Sequence, residues 1–380
     1  MRQAVLLDCC RSPIGKGSVE KGLFRDLRAE DLAVQVLRAL LARLPVDPGR
    51  IDEFLLGCVG QHLEQGKNLA RLVLLLAGLP RSIPGATLNR LCGSSLTALQ
   101  FAADGIRSGS HDLVLVGGVE HMGHVPMTAA LDYHPRLFDG AGFRWTHMGL
   151  TAELLAERFD IARADQDGFA LESHRRHFEA QDAGCFQDEI VPITLPDGTI
   201  ADRDEGPRRS TLDKLAQLPT PFKENGTVTA GNSSGIADGA CMALACSAET
   251  ARELGVDPLA RIAASATVGV DPETMGLGPV PAIRRLLERT RLRLEDIDLF
   301  EINEAFAVQV LACQRQLGLP PERLNVRGGA VALGHPLGMS GLRIAAALAR
   351  SLQQRGQRRG IAALCVGHGQ GVAMLLERDG

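Results

Sequence analysis

Asn89-Arg-Leu-Cys-Gly-Ser-Ser95 opens a turn, and the residues behind it complete a unit that decides the fold. From Ser94 to Arg107 the apolar positions Leu96, Leu99, Ala103 and Ile106 follow the 3.6-residue period of a helix. Leu113 to Val116 then reads as a buried strand, closed by Gly117-Gly118. The same order returns near the end of the chain. A turn at Gly334 to Gly341 carries His335, a helix is predicted from about Leu342 to Arg355, and a strand from Ile361 to Cys365. Ile51-Asp-Glu-Phe-Leu-Leu-Gly57 and Ile297-Asp-Leu-Phe-Glu-Ile-Asn303 precede the two units and match in position and kind. Any α/β chain shows some self-likeness, but repetition at this scale suggests two copies of one supersecondary plan. Two βαβ-type halves with buried parallel strands would bring their corresponding turns to one end of the sheets.

The remaining segments fit that plan. Ala4 to Leu7 and Phe54 to Leu56 are predicted strands, and Leu32 to Leu44 and Gly66 to Ala77 predicted helices. Val228 to Cys246 returns to a glycine-rich turn and a strand that rejoins the first half. Residues 120–225 differ in character, with most of the histidines and the only Trp and Tyr, Trp145 and Tyr133. They read as an insertion covering a site. The expected units are thus 1–119 plus 226–250, a loop domain at 120–225, and 251–380.

Composition excludes several classes. A chain of 380 residues, 45% hydrophobic, can bury more than one core, and 42 glycines suit many tight turns. Net charge is −4 with no basic block, so a nucleic-acid footprint is absent; Arg208-Arg209 is the one pair suited to a nucleotide phosphate. Nine cysteines without a Cys-x-x-Cys pair suit a reduced, cytoplasmic protein. No apolar run reaches the roughly 18 residues of a membrane span. His121, His124, His134 and His147 follow no usual zinc spacing, and no metal is expected.

Three residues carry the chemistry. Cys92 lies just ahead of a helix, where unpaired N–H groups and the helix dipole would favour a thiolate nucleophile; a buried core cysteine has the same local sequence. His335, flanked by Gly334 and Pro336, reads as an exposed imidazole able to take a thiol proton. Cys365 ends an apolar strand and opens Gly367, Gly369 and Gly371. A dinucleotide loop is excluded there, because only nine residues follow Gly371. A strand-end thiol that gives and takes a proton fits, with the Gly367 N–H polarising a carbonyl. Asn303 could anchor a water or cap the next helix, and Glu304 could orient its neighbours.

Together these stretches resemble the thiolase family over nearly the whole chain. Further likenesses are Arg28-Ala-Glu-Asp-Leu32, Gly117-Gly-Val-Glu-His-Met-Gly-His-Val-Pro-Met127, Met148-Gly-Leu-Thr-Ala-Glu153, Gly278-Pro-Val-Pro281, Asn303 to Ala307 and Gly328 to Gly338. The resemblance implies an α/β thiolase fold: two mixed halves stacked as five layers, αβαβα, with an inserted loop domain. It implies an acyltransferase that cleaves 3-ketoacyl-CoA with coenzyme A as co-substrate and no tightly bound cofactor; the biosynthetic condensation is the alternative. Cys92 would carry the acyl group, His335 would activate it, and Cys365 would serve as acid and base. Asn303 with His335, and the N–H groups of Cys92 and Gly367, would form two oxyanion holes. Ser234, His147, Met148 and Phe306 would line the pantetheine channel. The partners implied are acyl-CoA, CoA and further copies in a homodimer or homotetramer, with a hydratase/dehydrogenase subunit as an additional one. A condensing ketosynthase would need a second histidine where Cys365 stands, and a non-catalytic scaffold would not need all three residues. His368 departs from the family, standing where a small or aliphatic residue is usual.

Overall fold

The computed structural model describes residues 2–138 and 145–378. Its strands are β1 (Ala4–Arg11), β2 (Gly15–Lys16), β3 (Glu53–Gly57), β4 (Gly85–Leu88), β5 (Leu113–His121), β6 (Ile193–Thr194), β7 (Ile200–Ala201), β8 (Ala237–Ser247), β9 (Ala260–Gly269), β10 (Leu299–Ile302), β11 (Arg359–Val366) and β12 (Gln370–Glu377). The helices are α1 (Ala29–Ala42), α2 (Leu69–Leu76), α3 (Ser94–Ser108), α4 (Met148–Arg158), α5 (Arg163–Asp182), α6 (Leu212–Ala216), α7 (Ala248–Leu254), α8 (Pro279–Thr290), α9 (Ala307–Leu317), α10 (Ala330–Leu333) and α11 (Leu337–Arg355). Among the described residues no helix is long and apolar enough to cross a membrane.

The main strands run in the order β10-β11-β12-β9-β1-β8-β5-β3-β4, with a seam between β1 and β9 where only Val5 and Leu6 pair with Arg261 and Ala260. Outward from that seam the two sides match. β1, β8, β5, β3 and β4 lie on one side, and β9, β12, β11 and β10 on the other, followed by a parallel bridge from Phe300 to Leu324 where β4 would recur. The expected parallel strands are confined to β3 with β4 and β5, and to β10 with β11. The remaining neighbours in the main sheet are antiparallel, so each half is mixed.

Three apolar clusters define five layers. One joins α3 and α11 to the inner faces of both halves, with Leu6, Leu99, Val116, Leu342, Leu348 and Leu364 among its members. A second sets α1 and α2 on the outer face of the first half, and a third sets α8 and α9 on that of the second. β1 residues alternate between the first two clusters, Ala4 and Leu6 inward and Val5 and Leu7 outward, until an irregularity in the pairing between Leu6 and Asp8 shifts the phase and leaves Cys9 inward and Cys10 outward. Cys9 and Cys10 are simply buried small apolar residues with free thiols. Helix α11 is covered on all sides, with every residue from Gly338 to Leu352 buried.

Two predicted boundaries move for one reason. β5 runs on through Gly117-Gly118 to His121, and α11 begins at Leu337 rather than Leu342. The glycines are close approaches within regular elements, not stops. A Cβ on Gly118 would run into the Gly338 carbonyl oxygen and lie 2.7 Å from Ser95 Cβ and 2.8 Å from Met339 Cα. One on Gly338 would lie 2.5 Å from the Val119 oxygen and 2.8 Å from that of Gly57. The pairs β9 and β12 were not foreseen at all. We expect Gly118→Ala to cost about 1–3 kcal/mol, because the neighbours it meets are backbone. Gly168→Ala, inside α5 with open space around its Cβ, should be neutral or stabilising by up to about 1 kcal/mol. Thermal unfolding checks the contrast: equal Tm changes would refute it.

Candidate active site

The turn carrying Cys92 is held by its own side chains. Asn89 Oδ1 accepts the Leu91 N–H at 2.9 Å, while Ser94 Oγ accepts from Arg90 N at 2.9 Å and donates to the Leu91 oxygen at 2.6 Å. Leu91 takes a left-handed conformation, φ +44°, and Cys92 sits half-buried two residues ahead of α3. The backbone N–H groups of Gly367 and Cys92 lie near the Cys92 sulfur and favour its charged form. The expected thiolate is not the resting form. Burial pushes the Cys92 thiol up to about 11, with Glu120 adding to the rise, and the two N–H groups only partly offset it.

His335 is 5% exposed rather than open to solvent. Its backbone N–H donates to the Gly235 oxygen at 3.0 Å, fixing the turn against the start of β8. Ser340 Oγ donates to the Pro336 oxygen at 2.8 Å, so its lone pair receives Nδ1–H of His335 across 2.6 Å. This sets the tautomer: Nδ1 carries the proton and Nε2 keeps its lone pair, facing Asn303 Nδ2 at 3.3 Å. Burial, then the charge of Arg343, pushes the imidazole down to about 3, so it rests neutral. Asn303 is oriented rather than used as a cap. Its Oδ1 accepts from Arg343 Nη2 at 3.3 Å, and Arg343 also donates to Glu301 at 3.2 Å. Glu304 accepts from Ser173, Asn325 and the Val331 N–H, tying the Asn303 loop to α10.

Cys365 lies at the end of β11, 1% exposed, and burial followed by the neighbouring Cys92 and Cys313 sulfurs raises its thiol far above the ordinary range. It shares an apolar cluster with Phe306 and Met148. Ser234 donates its N–H to the Ala305 oxygen at 3.0 Å, and Ser233 bridges Phe306, so these residues run beside the Asn303 loop. His147 is exposed immediately before α4. The structure thus gathers Cys92, Gly367 and Cys365, and separately joins His335 to Asn303. The two groups approach through the central helices, where Ser95 Oγ donates to the Met339 oxygen at 3.1 Å and accepts the Leu342 N–H at 2.9 Å.

Several contributors escaped the sequence reading. Glu120 is buried, and its carboxylate accepts the N–H groups of Val59, Gly60 and Gly338, so it holds the first turn of α11. Arg343 offered a signal, being a cation in a helix otherwise read as core. Ser340 offered none. His121 and His124 do come together with Glu64, their rings stacked at 3.8 Å. Their Nε2 atoms face the Phe24 and Arg25 carbonyls at 3.0 and 2.7 Å, so they stitch that loop to β5. His134 Nδ1 accepts the Arg136 N–H. Of the arginine pair, Arg209 lies over the Phe178 ring at 4.5 Å, and Arg208 donates its backbone N–H to His174.

Residues 4–249 match the family description "Thiolase, N-terminal domain" and residues 256–378 match "Thiolase, C-terminal domain". Similar curated proteins include the 3-ketoacyl-CoA thiolases of Aliivibrio fischeri, 47% identical, and Cronobacter sakazakii, 48% identical, each with all of both chains covered. Among solved structures, the Bacillus anthracis acetyl-CoA acetyltransferase superposes with TM-score 0.91 at 42% identity, covering 99% of each chain. Human mitochondrial 3-ketoacyl-CoA thiolase gives 0.90 at 38% identity, covering 100% of this chain and 99% of that one.

The burial pattern has a measurable result. Iodoacetamide should reach Cys92 and Cys185, the two half-buried thiols, before the other seven. Because the Cys92 thiol stays protonated toward pH 11, its alkylation rate should keep climbing beyond pH 9. Peptide mass spectrometry across pH 6–10 checks this, and a plateau by pH 8 would refute it.

Proposed function

This chain belongs to the thiolase family, and we propose that it is a degradative 3-ketoacyl-CoA thiolase using free coenzyme A as co-substrate. The observation that carries the reading is the Cys92 sulfur set near the backbone N–H groups of Gly367 and Cys92, with a second, buried thiol, Cys365, beside it. His335 Nε2 takes the Cys92 proton, and the thiolate attacks the 3-keto carbon. The C2–C3 bond breaks, its electron pair leaves as the acetyl-CoA enolate, and Cys365 supplies the proton to that carbon. A CoA thiol then gives its proton back to the site, and its sulfur displaces the acyl group from Cys92. The two half-reactions share one nucleophile, so ping-pong kinetics follow.

Electrostatics sets the order of these steps. With both thiols and the imidazole neutral at rest, charge appears only once substrate is bound, where fixed N–H donors face it in a dry site. The Gly367 and Cys92 donors serve the oxygen beside the nucleophile, and His335 with Asn303, acting through a water, serves the leaving thioester. Ser234, His147, Met148 and Phe306 line the pantetheine arm, and the 120–225 segment covers it. We assign the protein to the cytoplasm, as a homodimer or homotetramer, with a hydratase/dehydrogenase subunit as a further partner. The likeness to the B. anthracis acetyltransferase supports a second reading, condensation of two acetyl units.

One experiment separates the readings. After brief exposure to 3-ketohexadecanoyl-CoA, peptide mass spectrometry should find a tetradecanoyl thioester on Cys92. Cys92→Ala should lose about 10⁴-fold or more in kcat. Undiminished turnover by that variant would overturn the nucleophile, and activity confined to the four-carbon substrate would favour condensation.

A further inference from the structure

The only tyrosine and the only tryptophan of the chain meet on one residue, His368. Tyr133 OH lies 3.2 Å from His368 Nε2, with the rings edge to face at 5.7 Å. Trp145 meets the same imidazole edge to face at 5.4 Å and Tyr133 at 6.4 Å. Phe138 extends the cluster, 6.0 Å from Tyr133. His368 holds a left-handed conformation, φ +61°, in the turn between β11 and β12. It directly follows Gly367, whose backbone N–H lies near the Cys92 sulfur. The cluster therefore adjoins, one residue along the chain, the turn that faces Cys92.

We propose that Tyr133, Trp145 and His368 form an aromatic wall that receives the aliphatic tail of the 3-ketoacyl group, giving a preference for chains well beyond four carbons. The proposal rests on the 3-ketoacyl-CoA reading above and adds its substrate class. Three observations favour an acyl tail over the pantetheine arm. The tyrosine hydroxyl and the imidazole nitrogen satisfy each other, so the wall presents ring surface rather than partners for amides. Leu131, Leu137 and Phe138 stay 52%, 45% and 40% exposed near Tyr133 in sequence, and Phe138 meets the Tyr133 ring, so apolar surface is available beside the cluster. A chain in which Phe, Trp and Tyr make up only 4% of residues concentrates three of them here, around His368. Burying each methylene against such a surface is worth about fourfold in affinity, so a few covered methylenes suffice to separate long from short substrates.

The test compares kcat/KM for 3-ketoacyl-CoA of 4, 8, 12 and 16 carbons in the wild-type protein, Trp145→Ala, His368→Gly and Tyr133→Phe. His368→Gly keeps the turn's backbone conformation accessible. The wild-type ratio of the 16-carbon to the 4-carbon value should exceed one. It should fall about tenfold or more in Trp145→Ala and His368→Gly, mainly through KM, and less than threefold in Tyr133→Phe, which keeps the ring. A ratio within twofold of wild type in the first two variants overturns the wall. An equal loss at every chain length also overturns it, since the cluster would then be acting on the Gly367 turn alone. A wild-type protein that cleaves none of the four substrates would mark failure of the reaction assigned above, a result visible before any variant is made.

Discussion

The close approach of two helix N-termini in the central layer is the constraint on which the site depends. Ser95 Oγ spans it, bonded to the Met339 carbonyl and the Leu342 N–H. Gly57, Gly118, Gly338 and Gly341 allow backbone to meet backbone there, because a Cβ at any of them would be driven into main-chain atoms of the facing element. Glu120 completes the joint by collecting N–H groups from the loop after β3 and from α11. A carboxylate is costly to bury, and the three backbone donors with Gln65 offset only part of that cost, so burial still holds the Glu120 carboxyl above its ordinary value. The turn carrying Cys92 enters one helix, and the turn carrying His335 enters the other.

A site built this way is dry, and dryness decides the protonation of everything in it. Burial raises both thiols and lowers the imidazole, so all three rest uncharged. Orientation must then do what a standing ion pair would otherwise do. The chain from Pro336 through Ser340 to Nδ1 leaves Nε2 as the basic nitrogen, and Arg343 turns the Asn303 amide so that its N–H faces that nitrogen. Neutral partners with fixed geometry avoid the cost of holding charges apart from water while the site is empty.

Local sequence pointed to the three side chains proposed as reactive because each is framed by residues with a short-range reason to be there. Asn89 and Ser94 staple their own turn, and glycines open the surroundings of His335 and Cys365. The halves were legible through the repeated turn, helix and strand. What could not be read depends on partners far along the chain. Whether Gly118 ends a strand or admits α11 is decided by Gly338, more than two hundred residues away. β12 lacks a clean alternation because both of its faces are buried, while β9, half-buried over much of its length, interleaves Arg261, Ser265 and Thr267 with alanines. The burial of His335 follows from packing against Gly235, and its glycine neighbours pointed the other way.

In the main sheet the two halves share a ladder of two residues at the β1–β9 seam, with a further backbone bridge from Ser233 to Phe306, so the helices between them carry much of their mutual alignment. A perturbation that lets one half slide by a fraction of an ångström leaves each sheet intact while it parts nucleophile from base. Catalytic output is accordingly a finer gauge of this alignment than circular dichroism, and solvents that loosen the sandwich filling silence the enzyme while its secondary structure still looks native.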